Sequence, residues 1–440
     1  MINTSRKLKR PALGISTRTR GAGRPILLFP SLLHVALMLA VVLNLGVVAT
    51  PSAHGQTYRE SLLHSFKGSP DGSTPTAGLV RDAAGNLYGT TFFGGDPSCT
   101  DWQGNMCGLV FKVTETGIAK VLYTFTGAST GENPYSGVVR DAAGNLYGAA
   151  WAGGHSGYCG ALYKLSKGKE TVLFRFSGAD GCQPEGGLIL DAAGNIYGTT
   201  ESGGPLNLGT IFKLDKNGKE TVLHFFTGSP DGLAPSVGLV MDDAGNLYGT
   251  TAYGGDPNCI NLEGNTCGIV FKVDVTGIET VLHSFTGGGV DGENPFAGLI
   301  LDNKGNLYGT TANGGTSQNC QSDAGGCGTV FKLDTKTGKE TVIYSFNGAP
   351  DGANPLGGVV QDGKGILYGT TVAGGAFNDG TVFRVTQSGK HALLHSFNRV
   401  TKDGADPYAG LIRDPEGSFY GTTYTGGKYD YGTVFKLTPR

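Results

Sequence analysis

Beyond residue 56 the apolar positions of this chain fall in short runs bounded by Gly, Asp, Asn and Pro. They do not follow the three-to-four spacing of an amphipathic helix. Four runs recur in order. Run A is Gly-Leu-Val-x-Asp, as at 78–82, and run B is Asn-Leu-Tyr-Gly-Thr-Thr, as at 86–91. Run C is Gly-Thr-Ile-Phe-Lys-Leu, as at 209–214, and run D is Glu-Thr-Val-Leu-His-Ser-Phe, as at 279–285. β-Branched and aromatic residues dominate, so each run predicts a strand.

The A–B unit occurs seven times, with its tyrosine at Tyr88, Tyr147, Tyr197, Tyr248, Tyr308, Tyr368 and Tyr420. The spacings are 59, 50, 51, 60, 60 and 52 residues, the signature of a stacked or radial array. The link Asp82-Ala83-Ala84-Gly85-Asn86 predicts a tight hairpin: Asp folds onto its downstream backbone and Gly accepts positive φ. Four antiparallel strands in a meander form one propeller blade. The chain opens with a lone D run at 60–66 and closes with a lone C run at 432–437. That displacement suits a ring in which the first strand completes the last blade. An open solenoid is the alternative, and it would call for capping repeats. The expected fold is an all-β, seven-bladed propeller of four-stranded blades, closed by the N-terminal strand.

The first 55 residues differ from the rest. Seven basic residues (Arg6, Lys7, Lys9, Arg10, Arg18, Arg20, Arg24) and no acid precede an apolar run from Ile26 to Val48, and Ala53-His54-Gly55 follows. Basic, apolar, cleavable is the order of an export signal, so 1–55 is read as a signal peptide and 56–440 as the propeller. An uncleaved anchor is the rival, weakened by Pro30, His34 and Asn44. No second apolar stretch follows Val48, so no membrane span is expected in the mature chain.

Removing those seven of 34 basic residues leaves 27 against 36 acids, a net charge of −9. Nucleic acid is therefore a poor partner, because phosphate contacts need clustered Lys and Arg. The expected location is exported: extracellular, cell surface or periplasm. A monomer is expected.

In a meander the B–C and D–A loops share one face. The A–B turns have one length, but the B–C loops vary. Twelve residues follow the Gly-Gly pair in blades 1, 4 and 5 (96–107, 256–267, 316–327), four in blades 3, 6 and 7, and five in blade 2. Loops that meet a partner vary, so this face is the candidate functional face. Cysteines bracket the long loops as Cys99/Cys107, Cys259/Cys267 and Cys320/Cys327, and Cys159 and Cys182 fall on the same face. Four disulfides use all eight. None has the Cys-x-x-Cys spacing of a zinc site, and no metal or cofactor is expected.

The aspartates Asp82, Asp141, Asp191, Asp242, Asp302, Asp362 and Asp414 read as turn residues rather than a calcium ring, which needs several oxygens at alternating positions. The D–A Asp-Gly pairs (Asp71, Asp231, Asp291, Asp351, Asp403) also fit turn chemistry. His64, His224, His283 and His395 share a position with Tyr123, Phe174 and Tyr344, so it is a half-buried aromatic position and not a base. The candidate ligand-binding residues break the repeat. They are Trp102, Trp151 and His155 with the carboxylates Asp96, Asp101, Asp256, Glu263, Asp323, Asp379 and Asp430. Aromatic rings beside carboxylates suit sugar faces. No catalytic residue is assigned, because no nucleophile elbow, phosphate loop or zinc helix occurs in a fitting context.

The unit Asp-x-x-Gly-Asn-Leu-Tyr-Gly-Thr-Thr-x-x-Gly-Gly, followed by Gly-Thr-Val-Phe-Lys-Leu, resembles the GloVer (Gloeo–Verruco) tandem-repeat family of exported bacterial proteins over about 58–437. The resemblance implies a bacterial secreted or surface protein and no particular chemistry. Some members carry a sorting anchor after the repeats, and none is expected here. The leading expectation is a secreted binding or structural module, with an extracellular glycan or protein as ligand. The alternatives are a carbohydrate-active or lactone-hydrolysing enzyme with carboxylates at the channel mouth, and a protein-interaction scaffold with an apolar patch over blades 1, 4 and 5.

Overall fold

The computed structural model describes residues 57–440 apart from 102–103, 128, 155–157, 261–264 and 321–324; the expected export signal at 1–55 lies outside the described residues. Seven four-stranded antiparallel sheets follow one another along the chain. In blade 1 the strands are A (Val80–Arg81), B (Leu87–Thr91), C (Leu109–Val113) and D (Ala119–Thr124). Blade 7 takes A (Ile412–Arg413), B (Phe419–Thr423) and C (Thr433–Pro439) from the end of the chain. Its strand D is Tyr58–Ser65, from the beginning. Tyr58 pairs with Pro439 and Ser65 with Thr433, so the ring closes as the displaced strand predicted. One 3-10 turn, Arg399–Thr401, is the single helical element among the described residues.

Strand A is shorter than its five-residue run. At 78 the chain is at the axis, where glycines of successive blades meet. A Cβ on Gly137 would stand 2.7 Å from the Gly78 carbonyl, and one on Gly410 2.7 Å from that of Gly358. At 82 the hairpin has begun. Asp82 Oδ1 accepts the N–H of Ala84 (3.0 Å) and Asn86 (2.9 Å), and its Oδ2 accepts the Tyr88 hydroxyl (2.9 Å). The Asp–Tyr bond recurs at 2.9–3.2 Å in all seven blades. The repeated aspartate is thus committed to its turn and to the tyrosine that packs between blades.

The glycine of Leu-Tyr-Gly-Thr-Thr has a steric cause. Gly249 pairs with Phe271 of strand C, and a Cβ there would lie 2.6 Å from Phe271 Cζ and 2.8 Å from Leu239 Cδ2. The ring of strand C occupies the space a side chain would need.

Each blade is locked to the next where the chain crosses. The residue before the D–A proline has φ near +55° (Thr74, Asn133, Ala234, Asn294, Asn354, Asp406). In all of these but Asn294 the N–H reaches back to the blade just left: Asn133 to the Cys107 carbonyl (2.7 Å), Asn354 to Cys327 (2.9 Å), Thr74 to Tyr431 (2.9 Å). The proline that follows lies on the glycine before strand C, as Pro134 on Gly108 and Pro75 on Gly432. The first threonine of Thr-Thr donates into the next crossing: Thr90 to the Ser136 carbonyl (2.9 Å), Thr370 to Ala409 (2.8 Å), Thr422 to Ala77 (3.0 Å).

A second seam runs round the outside. The rings of His64, His224, His283 and His395 meet the phenylalanine two residues on, edge to face, at 4.7–4.9 Å. Through Nε2 they contact Asp71 (3.0 Å), Asp231 (3.1 Å), Asp291 (3.3 Å) and Asp403 (2.8 Å). The aspartate of each of these Asp-Gly pairs is therefore the partner of strand D. The first residue of the next strand D adds a carboxyl, with Glu279 beside His224/Asp231 and Glu340 beside His283/Asp291.

In each trio the histidine and aspartate contact each other directly, and the glutamate stands beside them. Asp231 already accepts from the Thr227 N–H (2.6 Å) and hydroxyl (2.9 Å). The members also vary independently from blade to blade: the matching position after His64/Asp71 is Ala119, and Glu220 follows Phe174.

Burial, reinforced by a neighbouring aspartate, pushes Glu60, Glu220, Glu279 and Glu340 up to about 7. A raised acid favours its neutral form in the folded chain. Its stabilising contribution is therefore complete below the unfolded value near 4.5 and is lost as pH rises through about 7. Thermal midpoints should fall between pH 5.5 and 8, and Glu279→Gln with Glu340→Gln should flatten that slope. A separate expectation concerns packing. Gly249→Ala should cost about 1–3 kcal/mol by overpacking, read as a lower urea midpoint at unchanged m-value.

Candidate functional site

The D–A and B–C loops do share a face, and a short bridge joins them in every blade. Ser73 pairs with Phe93, Glu132 with Ala152, Cys182 with Ser202, Leu233 with Tyr253, Glu293 with Asn313, Ala353 with Ala373 and Ala405 with Thr425. The four expected disulfides are present on it: Cys99–Cys107, Cys159–Cys182, Cys259–Cys267 and Cys320–Cys327, with no free cysteine. Disulfides of this kind persist in oxidising compartments. No helix among the described residues is long and apolar enough to cross a membrane.

Side chains near the axis of this face are unevenly distributed. The position after Thr-Thr is aromatic in three consecutive blades, as Tyr424 in blade 7, Phe92 in blade 1 and Trp151 in blade 2. It is Glu201 in blade 3 and buried Ala252, Ala312 and Val372 in blades 4 to 6. The crossing loops add rings two residues before the axial glycines. Tyr135 lies 5.5 Å from Phe92, and Tyr408 lies 4.8 Å from Tyr424. Phe93 (4.5 Å) and Trp151 (6.4 Å) complete the group around Phe92. The Trp151 indole Nε1 is buried without a hydrogen-bond partner, although the residue is only half-buried. Blades 4 and 5 hold a separate pair, Tyr253 and Phe296, at 5.9 Å.

The blade 7 end of this arc carries charge that the repeat lacks elsewhere. Asn398 caps the 3-10 turn and presents Arg399. The guanidinium donates to Asp406 Oδ2 and Thr425 Oγ1, and its Nε stands 3.7 Å from Asp430 Oδ1. The Arg399 N–H donates to Asp379 Oδ2 (2.8 Å), and Asp430 Oδ1 accepts the Gly426 N–H (2.8 Å). Asp406 takes the place of the asparagine found in blades 2, 5 and 6. Burial lifts its carboxyl above the ordinary range, and the charges of Asp379 and Asp430 add to this. The Thr425 bond and Arg399 pull the other way and lose.

The expected site residues thus divide. Trp151 lies in the aromatic arc, and Asp379 and Asp430 meet around Arg399. Asp96, Asp101 and Asp256 turn back on their own loops: Asp96 to the Ser98 N–H (2.8 Å), Asp101 to the Asn105 N–H (2.8 Å), Asp256 to the Asn258 N–H (2.8 Å). Trp102, His155, Glu263 and Asp323 lie outside the described residues. Sequence reasoning missed Arg399, Asp406, Tyr408, Tyr424, Phe92 and Tyr135. Their signal was available: each departs from its own column of the repeat at an inner-face position.

Solved structures share this architecture. Virginiamycin B lyase of Staphylococcus aureus is 11% identical, with a TM-score of 0.51 over 87% of this chain and 99% of that one. The extracellular domain assigned to a hybrid two-component system of B. thetaiotaomicron is 10% identical, with a TM-score of 0.53 over 87% of this chain and 40% of that one. At such identities the likeness shows the fold alone. No curated protein matches significantly. The pattern of one repeat family matches residues 43–259, 98–322 and 318–440, which together span the whole propeller. With its seven copies of the repeat closed into a ring, the chain belongs to the Gloeobacter/Verrucomicrobia repeat family.

Proposed function

We propose that this protein is an exported, non-enzymatic binding module whose ligand, an extracellular glycan, lies across the aromatic arc of blades 7, 1 and 2. One observation carries the reading: the position after Thr-Thr bears Tyr424, Phe92 and Trp151 in three consecutive blades while blades 4 to 6 bury small residues there. Aromatic faces meet the C–H surface of a sugar ring. Arg399 and the aspartates at the blade 7 end supply the directional polar contacts that fix orientation. Those aspartates are already committed to Arg399, Thr425 and backbone N–H groups, which suits orienting hydroxyls better than moving protons, so binding is preferred over hydrolysis.

A protein-scaffold role is the second reading. It is favoured by exposed Leu206, Phe377 and Tyr429, which occupy one equivalent position in the short B–C loops of blades 3, 6 and 7. That rim differs from the patch over blades 1, 4 and 5 that a scaffold led us to expect.

A glycan array probed with the disulfide-intact protein, followed by calorimetry on the hits, tests the glycan reading. Trp151→Ala and Tyr424→Ala should each weaken binding about tenfold, equivalent to roughly 1.4 kcal/mol. Leu206→Ala should leave it unchanged. Absence of any glycan ligand, or binding that survives both aromatic substitutions, would sink the reading and move the scaffold role forward.

A further inference from the structure

Two buried carboxyls on the functional face have no part in that arc. Glu132 is 3% exposed and Glu293 is 5% exposed, each in the crossing loop that follows a long disulfide loop. Buried polar groups normally have partners, yet Glu132 Oε1 has none. Its other oxygen stands 3.7 Å from Cys107 Sγ, and the Glu132 carboxylate and both sulfurs of Cys99–Cys107 fall within 4.8 Å of one another. In blade 4 the Glu293 carboxyl and the Cys259–Cys267 sulfurs border one space, around Gly287. A Cβ on Gly287 would sit 3.1 Å from Cys259 Sγ, 3.5 Å from Cys267 Sγ and 3.4 Å from Glu293 Oε2. Blade 5 keeps the disulfide but not the acid: Ala353 stands at the Glu position beside Cys320–Cys327. The glutamate is therefore not needed to form such a loop.

The three disulfides share a polarity. The outer cysteine is the less buried one: Cys99 is 7% exposed, and Cys259 and Cys320 are half-buried. The inner cysteines Cys107, Cys267 and Cys327 are fully buried. An external thiol must attack the outer sulfur and expel the inner one as a thiolate into an apolar pocket. Burial disfavours that charge, and only a nearby proton donor relieves it. The leaving sulfur controls the rate of exchange.

We propose that Cys99–Cys107 and Cys259–Cys267 are thiol-exchangeable disulfides whose leaving sulfurs are protonated by Glu132 and Glu293. A thiolate of an external dithiol attacks Cys99 Sγ and forms a mixed disulfide as the Cys99–Cys107 bond breaks. The electron pair leaves on Cys107 Sγ, which takes the proton of the Glu132 carboxyl and leaves a carboxylate. The second thiol of the dithiol then attacks the mixed disulfide, releasing Cys99 reduced and the reagent oxidised. Glu293 serves Cys267 in the same way. The donor state is available: burial raises both carboxyls, Glu293 to about 7. Reduction removes the covalent tie across the long B–C loop of blade 1 or blade 4, so those two loops of the variable face come under thiol control. This inference does not depend on the glycan reading.

Dithiothreitol exchange on the folded, oxidised protein tests it, with pulse alkylation and peptide mass spectrometry reporting each pair separately. At pH 6 the blade 1 and blade 4 pairs should open at least tenfold faster than Cys320–Cys327. The difference should shrink toward pH 8 as the donors lose their protons. Glu132→Gln should slow blade 1 alone to the blade 5 rate and leave blade 4 as an internal standard for an intact fold. Ala353→Glu should speed blade 5. Equal rates in all three loops, or a blade 1 rate unmoved by Glu132→Gln, would overturn the proposal.

Discussion

Everything on the face that carries the variable loops hangs from the crossing between blades, where a proline meets a glycine. Each D–A loop leaves a blade and lays its proline on the glycine before that blade's strand C, and in six of the seven crossings a backbone bond to the carbonyl just before that glycine adds to the contact. Pro134 on Gly108 and Pro75 on Gly432 are the same contact, the second joining the two ends of the chain. A side chain on either glycine would push the proline away and open the seam. The left-handed residue beside the proline then turns the chain inward to the axis, which is why the two positions after it carry the inner-face side chains.

The lock also sets what may vary. Backbone bonds and the Thr-Thr hydroxyls hold the crossing, so the residues around it are free to differ from blade to blade. Asparagine at the left-handed position donates to the neighbouring blade, as Asn133 does to the Phe92 carbonyl (3.1 Å). Asp406 cannot donate there, and its carboxylate turns instead to Arg399 and Thr425. At this crossing an inter-blade side-chain bond gives way to surface bonds, on a scaffold with seven seams.

Much of the architecture was legible in the chain. Strand order, blade number, ring closure and all four cysteine pairings follow from a repeat that states its own register. The turn role of Asp82 and its equivalents followed from the Asp-x-x-Gly-Asn spacing. The partnership of His224 with Asp231 did not, because strand D and the crossing loop are separated by a turn whose path the pattern leaves open. The Glu279 carboxyl beside them comes from a different blade, and no local pattern could announce it.

The sequence by itself determined the secondary structure and the topology, because period-two strands, obligatory turn residues and a sevenfold repeat leave few ways to satisfy the backbone hydrogen bonds. It also marked the variable face, through loop lengths alone. Only the tertiary structure decided which departures from the repeat meet. Asp379 and Asp430 are 51 residues apart and share one arginine, whereas Asp96 and Asp256 turn back on their own loops. The physical reason is that the ring juxtaposes equivalent columns of neighbouring blades, so proximity follows blade order and loop path rather than distance along the chain.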